Sequence, residues 1–297
     1  MNRNSNDRST DIISNKEFRP LKLTAVDWGG PRSTGGTRQR PAGDLSHELW
    51  QSNTNGCLKY LIYAWIFATY FTFVLILSIY TANECRQVDF YLIYLTNWNV
   101  MLNALSSLFG AIVITRHYNN SNTLNMDNEP EKNRMGKLLK THWFLSTLSP
   151  VVSISVSLAY WPSYDGRDAG LNDVLTHAGN SVILFADTFI HARPPRYGHL
   201  VYPLAFGIVY LIFFSLPYQL LGGLNRHYKA YIYPSLDWSN NTTVAIKSTL
   251  LLSASFVLVH LFVTFSISVR CYLHTKYKSR PEVKEINGKN CNEQSIV

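Results

Sequence analysis

Two apolar stretches of the sequence carry the side chains best suited to chemistry. In YLTNWNVMLNALSS, the residues Thr96, Asn99, Asn103 and Ser106 follow one another at helical spacing, so a helix would place them on one face. A second polar face is predicted along LNDVLTHAGNSVILFADTFIHA, formed by Asp173, His177, Asn180, Ser181, Asp187 and His191. Because unpaired polar groups are costly in hydrocarbon, we expect both faces to point inward, toward each other or toward water.

Thr96 and His177 are the pair that predicts a reaction. Thr96 lies about five residues, and His177 about six residues, from the start of its predicted segment. At a rise of 1.5 Å per residue, both side chains would lie roughly 8–9 Å below the same membrane surface. An imidazole that removes the proton of a hydroxyl enables its oxygen to attack an ester carbonyl. Asn99 or Asn180 would then donate hydrogen bonds to the developing oxyanion.

The same residues also have a purely structural interpretation. Thr, Asn, Ser and His commonly join membrane helices through hydrogen bonds, at about 0.6–2 kcal/mol each, without any chemistry. Asp187 is expected to act as an anchor, because Arg193 and Arg196 follow it closely enough to form an ion pair. The residue types alone leave catalysis and interhelical bridging open.

Six apolar segments predict the elements that position these residues. Each is long enough to cross about 30 Å of hydrocarbon, and charged residues, 15% of the chain, are nearly confined to the segment ends and the stretches between them. We therefore predict an all-α, polytopic membrane protein with one transmembrane domain over residues 58–272. The predicted segments are 58–80, 91–115, 142–161, 171–192, 199–221 and 246–271.

Polar tails are predicted on both sides of this domain, at residues 1–57 and 273–297. The first tail is rich in Gly, Pro, Ser and Arg and too polar to bury a core, which predicts disorder. No apolar run follows Met1 directly, so we expect no cleavable signal peptide.

The distribution of basic residues predicts the orientation. Of the 27 Lys and Arg residues, the three loops on one predicted side hold just Arg86, Arg167, Arg226 and Lys229. The positive-inside rule then places both termini in the cytoplasm. Asn240 and Asn241 begin two overlapping N-x-[ST] acceptor motifs in one of these three loops, which would face outward. This placement predicts a glycosylation site.

Several classes of protein are disfavoured. The basic residues that give the chain its formal charge of +8 lie mainly in the loops and tails. We therefore interpret this charge as a reflection of membrane topology and of attraction to anionic lipid, rather than as a sign of nucleic-acid binding. The intramembrane histidines are not clustered, which predicts no metal site, and no phosphate-binding glycine loop or other cofactor motif is present. The expected partners are the lipid bilayer and a lipid ester substrate; no protein partner can be named.

Four blocks of the sequence resemble the rolling stone family of insect membrane proteins: YLTNWN, LTHAGNSVILFADTF, HLVYPLAFGIVY and YIYPSLDW. The resemblance extends from about residue 45 to residue 275. It implies a multi-pass plasma-membrane protein that takes part in myoblast fusion during muscle development. A scaffold whose basic cytoplasmic segments recruit partners is a further, weaker interpretation.

A more distant resemblance bears on mechanism. The androgen-induced-gene family of six-span lipid hydrolases is similar in its YLT-like block and in the histidine of its fourth span. The resemblance implies that Thr96 and His177 hydrolyse fatty acid esters of hydroxy fatty acids. The chain departs from that family after both residues, with Asn-Trp-Asn following the threonine and Gly-Asn-Ser following His-Ala.

Overall fold

A computed structural model of the protein describes residues 58–122, 129–164, 170–191 and 193–278. Within these ranges the chain is all-helical, so the predicted all-α class is confirmed. The predicted tail 1–57 and the part of the C-terminal tail after residue 278 lie outside the described residues.

Six helical segments, α1 to α6, follow one another along the described chain. Four are single helices: α1 (Leu58–Glu84), α2 (Leu95–Asn122), α3 (Glu129–Tyr160) and α6 (Thr242–Lys278). The segment α4 joins an α-helical turn, a π-helix and an α-helix: Leu171–Asp173, Val174–Gly179 and Asn180–Ile190. The segment α5 joins four stretches, of which the first is a 3₁₀-helix and the third a π-helix: Tyr197–Leu200, Val201–Tyr210, Leu211–Ser215 and Leu216–Leu220.

Five of these segments, α1, α2, α3, α5 and α6, are long and apolar enough to cross a membrane. The chain is thus a membrane protein by the length and composition of its described helices. The segment α4, which we predicted to be the fourth of six crossings, is a helix of the same bundle but a more polar one. The polar residues that suggest chemistry also lower its hydropathy, and the six-crossing count stays a prediction.

Consecutive helices in the first half of the bundle run antiparallel. Trp65, near the start of α1, donates a hydrogen bond to Thr115, near the end of α2 (3.0 Å). Asn103, in the first half of α2, donates to Ser153, in the last quarter of α3 (2.9 Å). The largest apolar core joins α2, α3, α5 and α6 around Phe256. Large apolar side chains also cover the outside of the bundle, among them Ile66, Phe73, Phe213, Leu251 and Phe265.

The start of α2 lies four residues later than we predicted. Residues Val88–Ile93 form a separate 3₁₀-helix, and Tyr94 is extended before α2 begins at Leu95. Two tyrosine hydroxyls hold this junction: Tyr210 donates to the carbonyl of Ile93 (2.6 Å), and Tyr233 accepts from the amide of Leu95 (2.9 Å). The hydroxyl of Tyr233 thereby satisfies one of the amides that a helix N-terminus leaves unpaired.

Candidate functional site

A serine of α3 connects the two buried asparagines of α2. Asn99 and Asn103 are both fully buried, and both bond the hydroxyl of Ser153. Asn103 donates to Ser153 Oγ through its amide nitrogen (2.9 Å), and Ser153 Oγ donates to Asn99 Oδ1 (2.8 Å). One hydroxyl thus serves as donor and acceptor between two helices, which is the interhelical bridging expected of such residues.

The same face of α3 also holds the polar side of α4. Ser181 is nine-tenths buried and donates from Oγ to the carbonyl of Ser153 (2.9 Å). Ser157 lies 2.6 Å from Ser181 Oγ and donates to the carbonyl of His177. Asn180 is fully buried, and its amide nitrogen donates to the carbonyl of Thr176 (3.2 Å). The predicted site residues Asn99, Asn103 and Ser181 therefore bond one strip of serines, whereas Asn180 bonds the backbone of its own segment.

This strip of serines is not among the features predicted above from the sequence, although the spacing of the serines along α3 indicates it. In SPVVSISVS, the residues Ser149, Ser153 and Ser157 recur every four positions, which places them on one face of a helix. All three are buried. A serine repeat between two predicted polar faces is the signal that would have identified α3 as their common partner.

His177 lies in the π-helical turn Val174–Gly179 and is 5% exposed. Its ring stacks flat on Tyr160, with centroids 3.4 Å apart and planes 6° apart. Its Nδ1 is buried without a hydrogen-bond partner among the described residues. A π-helical turn often occurs at a functional site, and here it also directs the His177 carbonyl to a serine of α3.

Thr96 occupies the first turn of α2 and is half-buried. We predicted it five residues inside its segment, at the depth of His177, and the later start of α2 removes that match along the helix. In the described part of the chain, no hydrogen bond joins the Thr96 hydroxyl to the His177 ring. Attack by Thr96 with His177 as base therefore requires a rearrangement that brings the two side chains within hydrogen-bond reach, directly or through one water.

Four buried polar atoms of α1, α2 and α4 lack a hydrogen-bond partner within the described chain: Tyr70 Oη, Asn99 Nδ2, His177 Nδ1 and Asn180 Oδ1. Both α1 and α2 contact the π-helical turn, and the Tyr70 hydroxyl lies beside Gly179 of that turn. The amide nitrogen of Asn99 is a spare donor that fits the predicted oxyanion role. The spare atom of Asn180 is an acceptor, because its nitrogen already bonds Thr176.

Comparison with known proteins bears on this arrangement. The family model described as "Protein rolling stone" matches residues 44–276, which is most of the chain and includes all the residues discussed above. The chain belongs to the rolling stone family. Protein rolling stone of Drosophila melanogaster is 30% identical over 201 residues, covering 64% of this chain and 70% of that relative. No solved structure matches the chain.

This rolling stone family member has a second buried polar cluster at the opposite end of α4. Asp187 accepts a hydrogen bond from the hydroxyl of Tyr63 (2.6 Å), and its Oδ1 lies 2.8 Å from Nδ1 of His191. Arg193 Nη2 is 3.8 Å from the other carboxylate oxygen. Arg193 is thus the partner of Asp187, one of the two alternatives that the sequence allowed.

Arg270 of α6 completes the second cluster, and no carboxylate of the described residues forms an ion pair with it. Its guanidinium donates to the backbone carbonyls of Thr188, His191 and Arg193, at the point where α4 ends and the chain turns. His142 of α3 is 4% exposed, and its ring centroid lies 6.4 Å from that of His191. The described residues contain no group of three or more His, Cys, Asp or Glu side chains placed to hold a metal ion.

The predicted glycosylation site lies in the loop between α5 and α6. Asn240 and Asn241 are both exposed. The backbone amide of Asn240 donates to Asp237 (2.9 Å), and its side chain does so as well (3.0 Å). These hydrogen bonds hold the pKa of the Asp237 carboxyl below its usual value. The acceptor motifs of this rolling stone family member thus lie on an accessible, locally ordered turn.

Proposed function

We propose that this protein is a multi-pass plasma-membrane protein that acts in cell–cell fusion, specifically the fusion of myoblasts during muscle development. The observation that carries the proposal is the rolling stone family match over residues 44–276, which spans the whole helical bundle up to its last turns. The test is to deplete the protein from embryonic muscle and count nuclei in each fibre. Mononucleate cells are expected, and multinucleate fibres of normal size would reject the proposal.

We also propose six crossings with both termini in the cytoplasm. The burial pattern of α4 supports its being a crossing: Thr176 and His177 are buried, whereas Val174 and Val182 on other faces are exposed. A segment with one polar face against its neighbours and apolar residues outside is suited to hydrocarbon. The strong imbalance of Lys and Arg between alternate loops supports the orientation.

A second candidate function is hydrolysis of lipid esters, with Thr96 as nucleophile and His177 as base. The observation that favours it is that the Nδ1 of His177 and the amide nitrogen of Asn99 are both buried without a hydrogen-bond partner among the described residues. An unpaired buried polar atom costs free energy, and active sites are places where such atoms are retained.

The reaction would follow the usual two steps of acyl transfer. His177 would accept the Thr96 proton while the Thr96 oxygen bonds the ester carbonyl, and the alcohol would leave with that proton. Water would then attack the acyl-threonine, giving one of its own protons to His177; His177 would pass that proton to the Thr96 oxygen as the fatty acid is released. Asn99 would donate a hydrogen bond to the oxyanion in both steps. The two candidate functions are compatible, since a lipid hydrolase can remodel a fusing membrane.

A further inference from the structure

A basic pocket lies at the end of the bundle where α4 ends and α5 begins. It is about 30 Å³ in volume, partly open to the surface, and bordered by α3, α5, α6 and the connection between α4 and α5. We call it the basic pocket and define it by Trp143, Arg193, Arg196, His199 and Thr264. No carboxylate is among its described lining residues.

Two residues that line this pocket carry buried donors with no acceptor in the described part of the chain. Arg193 is 7% exposed; its Nη1 donates to the carbonyl of Ser146 and its Nη2 faces Asp187, but its Nε has no partner in the described chain. The indole Nε1 of Trp143 is likewise buried and unpaired. Because a buried donor without an acceptor is costly, the pair indicates a ligand that supplies acceptor oxygens.

The local charge indicates that the ligand is an anion. Asp187 is the carboxylate that Arg193 faces, and it is shared with Tyr63 and His191. Arg196 lies over the ring of Trp143, 4.7 Å from the centroid, with no carboxylate partner among the described residues. Positive charge therefore exceeds negative charge around the pocket, and guanidinium groups suit phosphate oxygens in particular.

We propose that the basic pocket binds the phosphate group of an anionic phospholipid. A volume of about 30 Å³ admits phosphate oxygens but not a glycerol backbone, so the rest of the lipid would lie along the outside of the bundle. Exposed Phe144 and Tyr197 stand at this end of the helices, where aromatic side chains favour the membrane interface. On the orientation proposed above, this end faces the cytoplasmic leaflet, which carries the anionic lipids.

The experiment uses the full-length protein in a neutral detergent. Its thermal unfolding midpoint is measured with dihexanoyl phosphatidylserine, with dihexanoyl phosphatidylcholine and with inorganic phosphate. Because a ligand that binds the folded state raises the midpoint, we expect the largest rise with phosphatidylserine. Arg196→Gln removes the guanidinium that has no carboxylate partner among the described residues, and Trp143→Phe removes the indole N–H while keeping a smaller aromatic ring beside Arg196. Each should weaken the apparent phosphatidylserine affinity about tenfold.

Arg226→Gln is the matched control, because Arg226 also lies over an aromatic ring, that of Tyr94, but at the opposite end of the bundle (5.9 Å). It should keep the wild-type affinity. An equal response to inorganic phosphate that both pocket variants lose would support the phosphate site and overturn the lipid as its source. No response to phosphatidylserine, or a response unchanged in both pocket variants, would overturn the proposal. Neither result depends on whether the protein acts in fusion.

Discussion

The hydroxyl of Tyr63 in α1 donates a hydrogen bond of 2.6 Å to the carboxylate of Asp187 in α4, although the two residues are 124 positions apart in the chain. The same carboxylate faces His191 and Arg193, so it gathers three side chains in the bundle interior. This contact fastens the end of α4 to the first membrane helix. It lies well away from His177, and its role is best tested through stability.

Tyr63→Phe should destabilise the bundle by about 1.5–3 kcal/mol, because it removes a hydrogen bond to a buried charged group. Asp187→Asn should cost more, roughly 3–5 kcal/mol, since it leaves Arg193 buried without its carboxylate. The free energy of unfolding, measured in detergent with both single variants and the double variant, provides the check. Because the two residues share one contact, the effects should be less than additive; full additivity would mean that the contact contributes nothing.

Ser153→Ala should destabilise the bundle by about 1–3 kcal/mol, because it leaves the amide of Asn103 and the carbonyl oxygen of Asn99 unpaired. Ser163→Ala is the control, since Ser163 is exposed and bonds only the backbone of Ala159. Unfolding of both variants under the same detergent conditions makes the comparison. Equal stability of the two variants would show that the Ser153 hydroxyl does not stabilise the contact between α3 and α2.

Sequence patterns predicted the helical class and the membrane environment because both depend on composition over long windows. The spacing of Asn99 and Asn103 also picked out residues that are buried. What the sequence could not supply was the partner of each polar face. The local sequence around Ser153 or Tyr63 does not show which group either residue contacts. The packing of the helices places Ser153 beside the amide of Asn103 and Tyr63 beside the carboxylate of Asp187.

The position of Thr96 shows a second limit of the sequence. The apolar run is unbroken from Phe90 to Leu95, but the backbone changes from a 3₁₀-helix to an α-helix within it. The change depends on Tyr210 and Tyr233, which reach this junction from well over a hundred residues away. Helix ends fixed by such distant contacts cannot be located from local sequence, and the depth argument for Thr96 and His177 was sensitive to that error.

Thr96→Ala and His177→Ala should each abolish labelling by a serine/threonine-hydrolase activity probe if the hydrolase candidate is correct. The Thr96→Ala substitution removes the attacking oxygen, and the His177→Ala substitution removes the base. Thr115→Ala, in the same helix but at its far end, should label as the wild type does. Labelling of purified protein is read by gel fluorescence, with circular dichroism to verify folding. A wild-type protein that does not label, or labelling that survives both substitutions, would reject hydrolysis at this pair.

Glycosylation tests the proposed orientation. Treatment with peptide N-glycosidase should increase the mobility of the protein from cells, and the double variant Asn240→Gln, Asn241→Gln should lose this shift. A further acceptor motif, Asn119-Asn120-Ser121, lies at the end of α2, on the side that the basic residues assign to the cytoplasm. Asn119→Gln should therefore keep the shift. A shift that depends on Asn119 and not on Asn240 or Asn241 would reverse the orientation, and with it the leaflet assigned to the basic pocket.

The most direct test of the account is rescue of muscle fusion after the protein has been depleted from embryonic muscle. Depletion should leave mononucleate cells, and re-expression of the wild-type chain should restore multinucleate fibres. Re-expressed Thr96→Ala and His177→Ala variants, at equal surface level, would show whether fusion needs the hydrolytic pair. The account predicts that nuclei per fibre fall to about one and recover with the wild-type chain; fibres that stay fully multinucleate after complete depletion would contradict it.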